Sequence, residues 1–258
     1  MLLAIDSGNT NVVFGLYDGK SWLGEWRSAS SPNRTADEYA VWLSQLMTLN
    51  QIDQTAISAA IIANVVPAAT FSLKTLCRKY FNCEPLVVGE AGVELGVKVL
   101  LDRPEEVGAD RVVNAVGAWG HHKLPAIIID FGTATTFDIV DAEGNYHGGA
   151  IAPGINLSLE ALHMAAAQLP RIAVKRPLQV IGKSTVAAMQ SGVFWGYVGM
   201  IEGLVAQIRA EFGVPSLTVI ATGGLAPLFQ DATKVIDEVD LELTMRGLVE
   251  VYRRNRKT

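Results

Sequence analysis

The sequence predicts an α/β protein of two similar lobes, each running β-β-β-α-β-α. Two short apolar runs end in Asp-x-Gly, at Asp6-Ser7-Gly8 and Asp130-Phe131-Gly132, and one constant offset lays Ile5 on Ile129 and both motifs on each other. Each motif is followed by a returning strand, a tight turn and a third strand. The 258 residues are 50% apolar and 18% charged, which suits a folded chain with a developed core and argues against disorder.

Element by element, Leu2 to Ile5 is a buried strand, and Val12 to Tyr17 returns towards Asp18-Gly19, a hairpin turn signal. Trp22 to Arg27 gives the third strand. Thr35 and Glu38 have the spacing of a capping box, and Tyr39, Trp42, Leu43, Leu46 and Met47 follow at helical period. Ile57 to Val65 reads as a buried strand, and Leu73, Leu76, Cys77 and Tyr80 as one face of a helix. The second half repeats the plan: Ala126 to Ile129, Phe137 to Val140, a turn at Glu143-Gly144, then Tyr146 to Ala152. A helix starts after Pro153-Gly154, and Val186 to Phe212 is helical with Val193, Tyr197, Met200, Leu204 and Ile208 along one stripe. Leu217 to Ala221 is a strand turned by Thr222-Gly223-Gly224. The expected lobes are residues 1–123 and 124–258. The repeat is too long for a solenoid, and a cleft between two such lobes is a natural ligand site.

A net charge of −5 gives no general attraction to nucleic acid or an anionic membrane. The basic run Arg253, Arg254, Arg256 and Lys257 reads as a solvated helix end, where cations suit the helix dipole. No uninterrupted apolar run reaches membrane-spanning length, and no signal peptide pattern is evident. Cys77 and Cys83 make no disulfide framework and read as packing residues. A cytoplasmic protein is expected. His121 and His122 are neighbours that face apart on a helix, and His147 and His163 lack metal-ligand spacing. Gly192, Gly196 and Gly199, beside Trp195, Tyr197 and Met200, permit close backbone approach and read as core or dimer interface.

The two Asp-x-Gly turns carry the chemistry. A carboxylate at a strand end can orient a divalent metal or its water, which offsets phosphate charge. The glycine lets backbone N–H groups approach phosphate oxygens, and neighbouring hydroxyls and amides add neutral donors. Asp6 and Asp130 could instead merely cap tight turns, but Asn9, Thr10, Asn11, Thr133, Thr135 and Thr136 would then have no purpose there. Gly182-Lys183-Ser184-Thr185 imitates the end of a P-loop, yet the position of that fingerprint's first glycine is Pro177. No Gly-x-Gly-x-x-Gly follows a strand, which argues against a dinucleotide fold.

In chain order, Asp6-Ser7-Gly8-Asn9-Thr10, Gly108-Ala109-Asp110-Arg111, Asp130-Phe131-Gly132-Thr133-Ala134 and Gly148-Gly149-Ala150-Ile151-Ala152-Pro153-Gly154 resemble the type III pantothenate kinases. Gly182-Lys183-Ser184-Thr185 and Thr222-Gly223-Gly224-Leu225 extend the likeness over nearly the whole chain. The resemblance implies a duplicated actin-like ATPase (ribonuclease H-like) fold with the nucleotide in the cleft between its lobes. It implies transfer of the γ-phosphate of ATP to the primary hydroxyl of pantothenate, giving 4′-phosphopantothenate, the first step of coenzyme A synthesis. Asp6, Ser7, Gly8, Asn9, Thr10, Asn11, Val12 and Val13 would embrace ATP together with Gly132 and Thr133, with Asp6 serving magnesium. Asp130 would hold a monovalent cation, potassium or ammonium. Gly108, Ala109, Asp110 and Arg111 would line the pantothenate site, and Thr185 would reach substrate in the neighbouring subunit of a homodimer. Asp110 matches the general base; for an isolated Asp-Arg pair a surface ion pair would be the preferred reading. Leu101 stands where many members of the family carry a tyrosine that contacts pantothenate. The alternatives are a nucleotide-binding regulator of the same fold and a kinase of another small hydroxylated substrate.

Overall fold

A computed structural model describes residues 1–165 and 169–256, and the chain divides into two units. The first unit comprises Met1–His122 and Leu243–Thr258, and the second comprises Lys123–Glu242.

The first unit is built on a five-stranded sheet of β1 (Leu2–Ser7), β2 (Asn11–Tyr17), β3 (Trp22–Ala29), β4 (Ala59–Asn64) and β5 (Pro85–Val87), in the order β3-β2-β1-β4-β5. The first three strands are antiparallel, and β4 and β5 run parallel to β1. Strand β1 is central and nearly wholly apolar, so its alternate side chains feed two cores. Leu3 and Ile5 join Phe14, Tyr39, Leu43, Leu73 and Leu76 beneath α1 (Ala36–Leu49) and α2 (Thr70–Tyr80). Leu2 and Ala4 join Val113, Val116, Met245 and Leu248 beneath α3 (Ala109–His121) and α7 (Leu243–Asn255). Each aliphatic side chain so buried contributes about 1.5–3 kcal/mol of hydrophobic stabilisation.

The second unit repeats this plan. Strands β6 (Ala126–Phe131), β7 (Ala134–Val140), β8 (Tyr146–Pro153), β9 (Thr218–Thr222) and β10 (Glu238–Val239) lie in the order β10-β9-β6-β7-β8. β6, β7 and β8 are antiparallel, and β9 is parallel to β6. Helices α4 (Ile155–Ala165), α5 (Thr185–Phe212) and α6 (Ala226–Gln230) complete the unit. Ile127, Ile129 and Phe131 face a core with Phe194, Tyr197, Ile201, Val205 and Phe229.

Local signals act as their chemistry dictates. Thr35 accepts from the Glu38 N–H, and Glu38 accepts from the Thr35 N–H, a complete capping box at the start of α1. Gly19 and Gly144 take positive φ in their hairpin turns, and Gly213 closes α5 in the left-handed region. Cys77 and Cys83 are free and buried in the first unit's core, and burial pushes both thiols up.

Four expectations are corrected. The final helix α7 belongs with the first unit rather than with 124–258, because Gly117 and Gly247 let α3 and α7 meet backbone to backbone. The buried apolar stripe of α5 runs through Phe194, Tyr197, Val198, Ile201 and Val205, while Val193, Met200, Leu204 and Ile208 are only partly buried at its margin. Tyr80 lies at the exposed end of α2, where its hydroxyl donates to Asp37 rather than packing with Leu73, Leu76 and Cys77. The basic run is more than a solvated end: the Arg254 guanidinium lies 4.3 Å over the Trp119 ring, and Arg253 pairs with Glu250 and Tyr17. Lys257 lies outside the described residues. Among the described residues no helix is long and apolar enough to cross a membrane.

Candidate active site

Both Asp-x-Gly motifs form the hairpin turns they predict, with one difference in length. Asp6 opposes Val13, Ser7 opposes Val12, and the Gly8 N–H donates to the Asn11 carbonyl at 2.9 Å. In the second hairpin Asp130 opposes Thr136, Phe131 opposes Thr135, and the Gly132 N–H donates to the Ala134 carbonyl at 3.0 Å. The second turn is thus one residue shorter, and the constant offset holds through Gly8 and Gly132 but slips by one afterwards.

Strand alternation sorts the residues of the first turn. Asp6 and Val13 point to the α3 face, in phase with Leu2 and Ala4, whereas Ser7 and Val12 point to the α1–α2 core, in phase with Leu3 and Ile5. Ser7 is fully buried, and its hydroxyl has no hydrogen-bond partner among the described residues. Ser7 and Val12 therefore serve the turn through their backbones. Asn9 and Thr10 are exposed at its tip, and the Thr10 carbonyl is tied to the Ser30 N–H at 2.9 Å.

Helix α3 brings Asp110 to the same face of the sheet as Asp6. Gly108 is its N-cap and Asp110 lies in its first turn, where a carboxylate suits the helix dipole. The Asp110 carboxylate accepts from the Arg111 N–H at 2.8 Å, and a Cβ on Gly108 would stand 2.6 Å from Asp110 Oδ1. A side chain there would push that oxygen, the far end of the Asp110 side chain, from its present position. Val65 connects this helix end with the first turn: its N–H donates to the Ser7 carbonyl at 3.0 Å, and its Cγ1 lies 3.7 Å from where a Gly108 Cβ would be. Burial raises the Asp110 pKa above the ordinary carboxylate value, and the Arg111 N–H and guanidinium offset only part of that rise. A carboxylate starved of water is a stronger base than one in solution. Ala109 and Arg111 flank it, both half-buried.

In the second unit Asp130 lies amid backbone oxygens. Gly223, at φ +86°, turns so tightly that a Cβ there would lie 2.6 Å from Asp130 Oδ1 and 2.7 Å from the Phe131 carbonyl. Gly154 donates its N–H to the Thr133 carbonyl at 3.0 Å, and a Cβ on it would lie 2.2 Å from that oxygen and 2.7 Å from the Gly132 carbonyl. The Asp130 carboxylate and the Phe131 carbonyl thus lie beside Gly223, the Gly132 and Thr133 carbonyls lie beside Gly154, and each glycine leaves its oxygens clear of a side chain. Such hard oxygen donors suit an alkali cation or ammonium.

Thr185 is the first residue of α5 and is exposed, following the Ser184 N-cap, which accepts from the Ala187 N–H. The stretch before it, 169–184, contains no strand, in keeping with the rejection of a P-loop. Leu101 is half-buried ahead of a 3-10 turn at Pro104–Glu106. Val65, beside both the first turn and the start of α3, and Tyr197, bonded to Thr135, carry no local sequence signal that marks them. Val65 could be found only by knowing that β4 runs beside β1, and Tyr197 only by knowing which face of α5 meets β7.

The type III pantothenate kinase family model matches residues 2–207 of the chain. A type III pantothenate kinase of Paramagnetospirillum magneticum is 69% identical over 99% of this chain and 98% of its own, and one of Rhodospirillum rubrum is 64% identical over 99% of each. Among solved structures, the inorganic polyphosphate/ATP-glucomannokinase of an Arthrobacter species is similar over 98% of this chain and 97% of its own, at a TM-score of 0.52 and 13% identity. A Campylobacter jejuni protein placed provisionally in a Baf family of transcriptional activators is similar over 98% of each chain, at a TM-score of 0.62 and 18% identity. At such identities these structures speak for the fold alone, the actin-like ATPase fold that sugar kinases share.

Proposed function

The chain belongs to the type III pantothenate kinase family, and we propose from that premise how its own residues phosphorylate pantothenate with ATP in coenzyme A biosynthesis. The observation that supports the reading most directly is Asp110, a desolvated carboxylate at the start of α3, on the same sheet face as Asp6.

Asp110 accepts the proton of the attacking primary hydroxyl. Phosphoryl transfer is mostly positioning and charge stabilisation, so the base has to act only as the new O–P bond forms. Gly108, Ala109 and Arg111 line the acceptor site around it, with Arg111 offering a guanidinium to an anionic acceptor. The turn from Asp6 to Val13 binds ATP through backbone N–H groups and the exposed Asn9 and Thr10, joined by Gly132 and Thr133.

An ATP-dependent kinase uses a divalent ion such as magnesium, which offsets phosphate charge. A strand-end carboxylate such as Asp6 fits an ion that keeps most of its waters and its phosphate ligands. Asp130, with the carbonyls of the second turn, fits a monovalent cation, potassium or ammonium, which would supply fixed positive charge near the nucleotide phosphates.

The protein acts as a homodimer in the cytoplasm, and Thr185 reaches the acceptor site of the neighbouring subunit. The exposed face of α5 supports this assembly: Gly192, Gly196, Gly199 and Gly203 recur along it, and a Cβ at any of them would meet nothing within 4 Å.

A coupled ADP assay tests the reading. ADP formation is expected to require pantothenate, magnesium and potassium or ammonium. ADP release with other small alcohols but not pantothenate, or no turnover with any acceptor, would refute the assignment of substrate.

A further inference from the structure

We infer that Tyr197 is a positioning residue for the nucleotide turn of the second hairpin, acting through a directed chain of hydrogen bonds without touching the nucleotide itself. The inference rests on the reading that Gly132 and Thr133 bind ATP.

The Tyr197 hydroxyl has one proton to give. It donates to the Pro153 carbonyl at 2.7 Å, an oxygen that can only accept. In the 2.6 Å contact between Tyr197 and Thr135, the threonine is therefore the donor. The chain runs from Thr135 through Tyr197 to Pro153, and its two ends bracket the turn. Thr135 opposes Phe131 across the hairpin, and Pro153 opposes Ala134 on the next strand. Gly154, directly after Pro153, donates to the Thr133 carbonyl at 3.0 Å. The ring works on the turn from a third side: Tyr197 packs on Phe229 at 5.6 Å, and Phe229 stacks on Phe131 at 5.0 Å, next to Gly132. A single residue of α5 thus braces both arms of the turn and the residue before it.

A tyrosine that merely fills the core would make the same contacts, and its loss would lower stability alone. The difference lies in nucleotide affinity. Tyr197→Phe keeps the ring and removes the hydroxyl, leaving the Thr135 proton without its buried acceptor; Thr135 is itself only 1% exposed. Isothermal titration calorimetry with ATP and magnesium, together with steady-state kinetics, is the experiment. We expect the Kd and KM for ATP to rise about tenfold, the worth of two neutral hydrogen bonds at about threefold each, while KM for pantothenate stays within twofold. Thr135→Val, which retains the Tyr197–Pro153 bond, should weaken ATP by about threefold. Wild-type affinity for ATP in Tyr197→Phe overturns the inference, and if that variant does not fold, wild-type affinity in Thr135→Val overturns it equally. Failure of the unmodified protein to bind ATP removes the nucleotide reading first, and this inference with it.

Discussion

As the proposed base, Asp110 would set stability against function at one side chain, and both can be measured there. Its carboxyl is held above the ordinary range chiefly by burial. A carboxyl whose folded pKa is raised costs nothing at low pH, where both states hold the proton. As pH rises through the unfolded value, near 3.9, the unfolded state ionises first and stability is lost until the folded group ionises too. Above that window a constant penalty remains. Asp110→Asn removes the charge and keeps the shape, so at neutral pH the variant should melt higher than the unmodified protein, and the gap should shrink as pH falls towards 3.5. The same variant should lose about 10²–10⁴-fold in kcat, the span general bases contribute, while binding ATP normally. Melting curves across pH, paired with turnover, check both halves. A variant that is no more stable would mean the carboxylate is not desolvated, and one that retains turnover would remove it from the base role.

Asp110 is only as well placed as the helix that bears it, and α3 is fixed by α7. A Cβ on Gly247 would lie 2.0 Å from the Val113 carbonyl, and one on Gly117 would lie 2.5 Å from the Leu243 carbonyl. Beside this crossing the Thr244 hydroxyl donates to the Asn114 side chain at 2.7 Å, and Asn114 is fully buried. Gly247→Ala would gain about 1 kcal/mol of helix propensity. The collision with backbone should cost more, about 1–3 kcal/mol or beyond, because α3 has to shift for the new methyl to fit. The expected outcome is a lower urea midpoint, together with reduced kcat below the melting transition as Asp110 moves with its helix. Greater stability would show that the crossing is not tight. This pair also marks where sequence reading stops. The capping box of Thr35 and Glu38, the Asp18-Gly19 turn and both Asp-x-Gly turns are specified within a few residues, so the first three strands of each unit were legible. The meeting of Gly117 with Gly247 joins positions far apart in the chain, and nothing local to Leu243–Asn255 says which sheet that helix will cover. The one-residue slip after Gly132 was hidden for a related reason. The strand pattern survives a shortened turn, and only the pairing of Phe131 with Thr135 reveals it. Asp110 itself was legible through the ordered motifs around it, whereas Val65, which links its helix to the first turn, follows only from the register of β4 on β1.

At the scale of the whole molecule, α5 presents opposite faces to two different tasks. Phe194, Tyr197, Val198, Ile201 and Val205 are buried within the second unit, and Tyr197 reaches Thr135 beside the turn of the second hairpin. The other face is lined by the exposed glycines 192, 196, 199 and 203, and Met164, Val180 and Ile181 of the same unit are exposed apolar side chains. Glycines are costly in a helix interior, about 1 kcal/mol each relative to alanine, and a lone helix in water gains nothing from them. Close approach of a second α5 across a two-fold axis is what such a face permits. The resulting prediction separates assembly from folding by sign. Gly199→Lys should strengthen α5 as an isolated helix, because lysine is the better helix former, and among the described residues nothing lies within 4 Å of where its Cβ would stand. Across a dimer interface the same side chain would bring bulk and a charge that finds a like charge opposite it. Light scattering should therefore report a monomer for the variant and a dimer for the unmodified protein, with the dilute melting temperature unchanged or higher. Calorimetric ATP binding should persist in the monomer. Turnover of pantothenate should fall, because Thr185, exposed at the start of α5, would no longer have a neighbouring subunit to reach. A Gly199→Lys protein that remains dimeric would place the interface elsewhere, and a monomer with full turnover would take Thr185 out of the acceptor site of its neighbour.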